Sequence, residues 1–285
     1  MSIGPRGYVS IAELIVYIPA LVLAFIVCSR HGFNRASGFV FTIVLCLVRI
    51  IGSICQLLTY SNHSDGLLQA TIVIDSIGIS PLLLATLGML SRFADWTTSR
   101  DITTLSVKHF RVVQLLITLG LILSIVGGTD GTPSSTGTFK PSTISQVAII
   151  LYIVAFAAMA CILVVVSQSR SSAPSQEGRI LIAVAVASPF IMVRLLYSIL
   201  ALFIHNHTFS IINGSVPVFV CMTAIEEFVV VVDYLLLGFS LEKLEPGQKG
   251  DIANRPWKGK KQNKQRSQRR GRERQYDSTE VGQGR

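Results

Sequence analysis

Residues 37–60 read SGFVFTIVLCLVRIIGSICQLLTY, an apolar run whose single charged residue is Arg49. As a helix, a run of this length covers the roughly 30 Å hydrocarbon core of a bilayer, and in lipid the backbone must satisfy its own hydrogen bonds. The stretch therefore predicts a membrane-spanning helix with one arginine near its centre. Arg49 is followed by Gly52, Ser53 and Gln56 at i+3, i+4 and i+7. These residues form one small or polar face, which should point into the protein.

Apolar runs of the same kind lie on both sides of this stretch. Of the 285 residues, 50% are hydrophobic and 14% are charged, whereas an ordinary soluble domain is about a quarter charged. The sequence predicts an all-α membrane protein, a seven-transmembrane helix bundle that occupies residues 1–240. The predicted spans are 8–28, 37–60, 67–91, 110–127, 143–167, 178–203 and 215–239.

Basic residues beside the spans predict the orientation of the chain. The odd-numbered connections carry eight Lys and Arg, whereas the N-terminus and the even-numbered connections carry Arg6 and Lys140 alone. We therefore expect the N-terminus outside and the C-terminus inside. Three glycosylation sequons, at Asn62, Asn206 and Asn213, fall on the predicted outer side and are candidate acceptors. The expected location is the plasma membrane, with other membranes of the secretory pathway as the alternative.

Residues 241–285 form a polar tail with 13 Lys and Arg against 6 Asp and Glu. The tail has few aliphatic residues, so it cannot bury enough apolar surface to offset its ordering entropy. We predict a disordered cytoplasmic tail. Anionic lipids of an inner leaflet attract such basic segments, so the expected partners are membrane lipids and not nucleic acid.

Seven ionisable residues lie inside the predicted spans, where each costs roughly 2.5–3.5 kcal/mol and indicates a functional site. Counted from the outer ends at about 1.5 Å per residue, most of them share one slab between the outer third of the membrane and its midplane. We expect Arg49 to pair with Asp75. Arg194 is expected to pair with Glu226 or Glu227.

Three interpretations of these charges stay open. The first is a set of buried ion pairs that hold the bundle together, and the second is a polar cavity that binds a small polar or amphipathic ligand. The third is a proton relay through Glu226, Glu227 and Asp233. Polar contacts between membrane helices average only about 0.6 kcal/mol, so stability alone is a weak reason for these charges. The candidate ligand or pathway residues are Glu13, Arg49, Asp75, Arg194, Tyr197, Glu226, Glu227 and Asp233.

A short internal similarity suggests a repeat. VRIIGSI at 48–54 resembles VRLLYSI at 193–199, and the span after each carries an acid followed by a leucine run, with Asp75 in one and Asp233 in the other. This pattern predicts a 3+1+3 arrangement, in which the fourth span joins two parallel three-helix units. Some transporters are built in this way.

Five motifs carry a resemblance to a known family, namely AELIVYIPA at 12–20, RHGF at 30–33, SPLLLA at 80–85, VRLLYS at 193–198 and EEF at 226–228. Through these motifs the chain resembles a group of fungal seven-transmembrane proteins classed as a domain of unknown function. The resemblance covers all predicted spans and brings no activity with it. More distantly, Arg194 followed by acids in the last span is similar to the fungal RTA-type lipid-translocating exporters. The Arg-rich, Glu-containing end of their sixth span is not reproduced after Arg194.

Other families of seven-helix proteins lack support in the residues. The last predicted span has no lysine for a retinal Schiff base, and Ser91-Arg92-Phe93 stands where a rhodopsin-like receptor has an acid before its arginine. The histidines lie in loops or at span ends, and no nucleophile or phosphate-binding motif appears. We therefore expect no catalytic site, no metal, no cofactor and no enzymatic activity.

The sequence favours a transporter or translocator that moves a small amphipathic molecule through a polar intramembrane cavity. The alternative is a seven-span sensor or receptor that binds a ligand outside and signals through its cytoplasmic loops and basic tail. Both functions require the charged residues to face a common interior.

Overall fold

A computed structural model gives the fold of residues 4–31, 38–61, 65–98, 107–130, 132–133, 139–140, 142–168, 175–203 and 215–241. The described chain is almost entirely helical, with one short antiparallel pair of strands. The elements are α1 (Pro5–His31), α2 (Phe39–Ser61), α3 (Asp65–Ile77), α4 (Ile79–Thr98), α5 (Val107–Asp130), β1 (Thr132–Pro133), β2 (Phe139–Lys140), α6 (Thr143–Ser167), α7 (Ser175–Phe203), α8 (Val216–Phe219), a π-helical turn (Val220–Ala224) and α9 (Ile225–Ser240). Outside the described residues lie the sequon asparagines Asn62, Asn206 and Asn213 and tail residues 242–285.

Six helical segments are long and apolar enough to cross a membrane. They are Pro5–His31, Phe39–Ser61, Gln69–Asp95, Val107–Asp130, Thr143–Ser167 and Gly178–Phe203. Large apolar side chains cover their outward faces, among them Ile15, Val22, Leu115 and Val164, which are all more than half exposed. A soluble protein does not expose apolar surface on this scale, whereas a lipid-facing one must. The chain is a helical membrane protein.

A further helical segment runs from α8 through the π-helical turn into α9 and packs against α7 and α1. It differs from the six apolar segments because it carries Glu226, Glu227 and Asp233. It coincides with the seventh predicted span. That it crosses the membrane stays a prediction.

Two contacts between helix ends show that α1 runs opposite to α2 and in the same direction as α9. The start of α1 lies beside the end of α2, where Gly4 faces the ring of Tyr60. At the opposite end of the bundle, His31 Nε2 lies 2.7 Å from the Gly238 carbonyl oxygen and joins the ends of α1 and α9. We refer to these two ends of the bundle as the Tyr60 end and the His31 end.

The third predicted span, 67–91, is longer in the structure and is broken. α3 ends at Ile77, and α4 begins at Ile79 and continues to Thr98. Between them stands Gly78, a residue type that disfavours helix by about 1 kcal/mol relative to Ala. A Cβ added at Gly78 would lie 3.6 Å from both Arg49 Nη2 and Glu227 Oε1. The break therefore sits directly against the charged interior.

Small residues bring α5 and α6 into close contact. Gly120, Ser124 and Gly127 lie on the buried face of α5. A Cβ added at Gly127 would lie 2.5 Å from the backbone nitrogen of Ser145, and one added at Gly120 would lie 2.7 Å from the ring of Tyr152. Membrane helices associate through small residues because the backbones can then approach closely.

Candidate functional site

Two arginines and two carboxylates from four helices meet inside the bundle. Arg49 of α2 and Arg194 of α7 lie between Asp75 of α3 and Glu227 of α9. The side chains of both arginines and of Glu227 are at most 7% exposed, whereas that of Asp75 is 20% exposed. We call these four residues the charge cluster. Its formal charges cancel, as charges removed from water require.

Glu227 is the anion that both arginines share. Arg49 donates to both of its oxygens, from Nε to Oε2 and from Nη2 to Oε1. Arg194 Nε donates to Oε1 over 2.7 Å. The planar fork of a guanidinium matches a carboxylate in this way, and such charge-assisted bonds are the strong ones. Glu227 thereby fixes side chains from α2 and α7 at one point.

Asp75 joins the same arginines from another side. Its Oδ1 accepts from Arg49 Nη1 at 3.0 Å and lies 3.6 Å from Arg194 Nη2. The backbone carbonyl of Asp75 also accepts from Arg194 Nη2, at 3.0 Å. This carbonyl belongs to the last turn of α3, where helix carbonyls lack partners within the helix and a cation is favourable. Arg194 therefore caps α3 at the break beside Gly78.

Two further residues of α7 hold Arg194. Its Nη1 donates to Ser198 Oγ at 2.8 Å, and its guanidinium carbon lies 5.9 Å from the centre of the Tyr197 ring. That distance is at the limit of a cation–π interaction. Ser198 and Tyr197 are both buried, so this polar face of α7 points inward.

The structure confirms the predicted pairing of Arg49 with Asp75, and it pairs Arg194 with Glu227 and not with Glu226. Successive helix residues are rotated by about 100°, so Glu226 points away from the charge cluster. Glu226 Oε2 and Asp233 Oδ2 are buried and have no hydrogen-bond partner among the described residues. The three carboxylates of α9 therefore do not form one row, which weakens the predicted proton relay.

The π-helical turn Val220–Ala224 sets the direction of Glu227. An extra residue in one helical turn shifts the phase of everything after it, and such turns are frequent at functional sites. Thr223 in this turn and Glu227 in the next are both fully buried. Periodicity in the sequence does not encode the turn, so it was not predicted.

Glu13 of α1 lies beside the charge cluster. Its Oε2 accepts from the Ser53 hydroxyl at 2.7 Å. Its Oε1 is buried and has no hydrogen-bond partner among the described residues. Ser53 lies one turn after Arg49 on α2, as its spacing predicted. Glu13 is therefore a fifth ionisable group at this site, held by a neutral hydroxyl.

A cavity of about 70 Å³ adjoins Arg49, Asp75 and Glu13. A buried water needs roughly 10–15 Å³, so the space accepts several waters or a small polar group. Its other lining residues come from α1, α2, α3 and α8, and they are Arg6, Val9, Ser10, Val48, Gly52, Ser53, Gln56, Thr71, Ile72, Ile74 and Phe219. Because the lining includes the first turns of α1 and the last turns of α2, the cavity extends from the charge cluster toward the Tyr60 end. We call it the α1–α3 cavity.

A second, smaller cavity of about 30 Å³ reaches the charge cluster from the side of α5, α6 and α7. Arg194 and Tyr197 line it together with the hydroxyls of Ser124 and Tyr152. Among the described residues, Asp75 alone lines both cavities. Asp75 is thus the residue at which the linings of the two cavities meet.

Two other features of the site were not predicted from the sequence. Arg6 was counted as a charge before the first span, whereas the structure places it in the first turn of α1 at the α1–α3 cavity. The helix break was not predicted, because a single glycine such as Gly78 inside an apolar run does not by itself indicate a break. The nearest available signal was Pro81, because proline is tolerated in the first turn of a helix and indicates a new helix start.

Comparison with known proteins gives a family and no activity. The family described as a domain of unknown function, DUF7702, matches residues 3–244, a range that contains the whole charge cluster and the α1–α3 cavity. No curated protein and no solved structure matches the chain. The fungal origin and the RTA-type similarity inferred from the motifs stay predictions.

Proposed function

The chain belongs to the DUF7702 family, a domain of unknown function, and from its site we propose that it moves a small amphipathic molecule across a membrane. The main observation in support of this proposal is that the buried charge cluster adjoins a cavity lined by both polar and apolar side chains. A purely structural set of ion pairs needs no adjoining space. Charges kept inside a membrane bundle beside a cavity are typical of a substrate pathway.

The proposed topology has seven spans, with the N-terminus outside and the basic tail in the cytosol. Under this orientation the Tyr60 end of the bundle faces outward, because α1 begins there. The α1–α3 cavity extends toward that end from the charge cluster. We propose the plasma membrane as the location, with contact between the tail and anionic lipids of the inner leaflet.

The proposed 3+1+3 repeat has support at one pair of positions. Arg49 and Arg194 are its equivalent arginines, and both donate to Glu227. The equivalent acids differ, because Asp75 joins the charge cluster and Asp233 does not. Any repeat is therefore asymmetric at the site, because one of the two equivalent acids belongs to the charge cluster and the other does not.

The geometry suggests how binding would be coupled to movement. A ligand that competes for the Asp75 carboxylate would weaken its contacts with both arginines. Arg194 also caps the end of α3 through the Asp75 carbonyl, so a change at this residue reaches the break at Gly78. Hinge motions usually take place at the ends of secondary-structure elements, and a helix break is such a position. We propose that α3 moves relative to α4 at Gly78 during transport.

Purified protein in lipid vesicles tests the proposed transport. The probes are cationic, neutral and anionic amphiphiles with a nitrobenzoxadiazole label, and dithionite added outside reports the label that has crossed. Vesicles with protein should expose at least one probe several-fold faster than empty vesicles. Arg194→Ala should abolish the difference, and Ser198→Ala, which removes one acceptor of Arg194 without unpairing a charge, should reduce it.

Arg179→Ala is the matched control for this experiment. Arg179 lies on the same helix at the His31 end, where its side chain is exposed and donates to the Ser240 carbonyl at 3.5 Å. This variant should keep the wild-type rate. Equal rates for wild type, folded Arg194→Ala and empty vesicles would refute transport and leave the charge cluster a structural feature.

Deletion of residues 242–285 separates transport from signalling, the second proposed class. The cut follows Leu241, which is buried and whose backbone N–H bonds the Leu237 carbonyl at 3.0 Å. A transporter should keep its flux without the tail. A receptor that signals through the tail would show no flux with it, and would lose its cellular response without it.

A further inference from the structure

Besides the donor groups of Arg6, Arg49 and Gln56, the lining of the α1–α3 cavity contains hydroxyl groups that serve as hydrogen-bond acceptors. Three hydroxyl groups line it, and each donates its one hydrogen to a neighbour within the protein. Ser10 donates to the Arg6 carbonyl at 3.2 Å, and Thr71 donates to the Leu67 carbonyl at 3.0 Å. Ser53 donates to Glu13 Oε2 at 2.7 Å. A hydroxyl has one hydrogen and two lone pairs, so all three present lone pairs to the cavity.

The charged lining adds to this acceptor character. The three nitrogens of Arg49 are directed at Glu227 and Asp75. Glu13 Oε1 is buried without a hydrogen-bond partner among the described residues. A buried acceptor that lacks a donor is costly, and more so when it is charged. The cavity therefore lacks a donor at Glu13.

The charged residues that line the cavity also single out Glu13. The charge cluster is formally neutral without Glu13, so this carboxyl group is not needed to balance Arg49 or Arg194. Arg6 also lines the cavity and interacts electrostatically with Asp75, while its backbone lies about 10 Å from that of Glu13 along the axis of α1. The deep part of the cavity thus combines the Glu13 carboxyl group and hydroxyl acceptors with an apolar wall of Val48, Ile72 and Ile74.

We infer that the α1–α3 cavity binds the ammonium group of an amphipathic amine, with Glu13 as its counter-ion. An ammonium carries three donors and one positive charge, which matches the free oxygen of Glu13 and the lone pairs of Ser53 and Thr71. Its apolar remainder packs against the apolar wall. This inference deepens the proposed transport function and rests on it, because it names the chemical class of the transported molecule.

Three six-carbon probes test the inference on the full-length protein in lipid nanodiscs. They are hexylammonium, hexanol and hexanoate, which share an apolar chain and differ in the charge and donors of the head group. Binding is read as the concentration-dependent rise of the unfolding midpoint. Hexylammonium should act at a concentration at least tenfold lower than either of the other two.

Three variants test which residues are responsible for the binding of hexylammonium. Glu13→Gln keeps the shape of the side chain but removes its charge, and should weaken hexylammonium at least tenfold while leaving hexanol unchanged. Thr71→Val removes one acceptor without touching the ions and should weaken hexylammonium by a few-fold, which keeps the test valid if Glu13→Gln fails to fold. Glu226→Gln, an acid outside the cavity, should keep the wild-type affinity within twofold.

The outcomes separate this inference from transport. If hexanoate or hexanol binds best, or if folded Glu13→Gln binds hexylammonium as well as wild type, the amine is the wrong class while the transport proposal stands. If no probe binds and Glu13→Gln instead removes a pH dependence of the unfolding midpoint, Glu13 is a proton site and the inference is overturned. Absence of binding together with absence of flux refutes both proposals.

Discussion

Glu227 is the residue on which the interior depends most, because it accepts from two arginines that come from different helices. In Glu227→Gln the amide keeps one acceptor oxygen, but two buried guanidinium groups lose their shared counter-ion. Removing one partner of a buried ionic network typically costs about 3–5 kcal/mol. We expect Glu227→Gln to lower the free energy of unfolding by about this amount, measured by denaturant titration in one detergent.

Its neighbour provides the control at the same scale. Glu226 has the same side chain one position earlier but lies outside the charge cluster, so Glu226→Gln should change the free energy of unfolding by less than about 1 kcal/mol. A similar loss in both variants would mean that a carboxylate at the start of α9 matters for a reason other than the two arginines.

The sequence was sufficient to predict which charged residues lie inside the membrane-spanning helices. The pairing of Arg49 with Asp75 could be predicted from their similar depth in the membrane. Arg49 and Asp75 lie on consecutive predicted spans at similar depth, and they do meet. The choice between Glu226 and Glu227 was not predictable, because it depends on the phase of α9. That phase is set by the π-helical turn, which no periodic pattern announces.

At the scale of elements, the contact between α5 and α6 relies on glycine. A methyl group at Gly127 would meet the backbone and side chain of Ser145 at 2.5 Å, so the helices must separate to admit it. Overpacking of this kind typically costs about 1–3 kcal/mol. We expect Gly127→Ala to lower the unfolding midpoint of the protein in nanodiscs.

Gly178→Ala is its counterpart in α7. A Cβ at Gly178 would meet nothing within 4 Å, and alanine favours helix over glycine by about 1 kcal/mol. This variant should therefore match or exceed the wild-type midpoint. If Gly127→Ala does the same, the two helices do not depend on close approach at this position.

The existence of the elements followed from apolar run length, since each of six runs forms a helix long enough to cross a membrane. The interruptions of these helices could not be predicted from the length of the apolar runs. The break at Gly78 and the π-helical turn both lie beside the charge cluster, and at the break Arg194 of another helix donates to the Asp75 carbonyl. Local propensity contains no information about such distant partners.

At the scale of the whole molecule, the orientation is the main untested prediction. We expect Ser2→Cys to react with a membrane-impermeant maleimide on intact cells, because the N-terminus should be outside. Ser278→Cys, in the tail, should react only after permeabilisation. The wild-type chain supplies the background, since its five cysteines all lie in helical segments. Labelling of the tail alone on intact cells would reverse the orientation.

The length and low charge content of the apolar runs by themselves determined that this protein is a helical membrane protein, because hydrocarbon accepts a backbone only when it satisfies its own hydrogen bonds. The sequence also determined that Arg49, Asp75 and Arg194 had to face an interior, since lipid does not solvate them. Only the tertiary structure decided that Glu227 completes their neutral cluster, that Asp75 lines two cavities and that Glu13 Oε1 has no hydrogen-bond partner among the described residues. The physical reason is that charge compensation depends on distances between helices far apart in the chain, and those distances are fixed by packing.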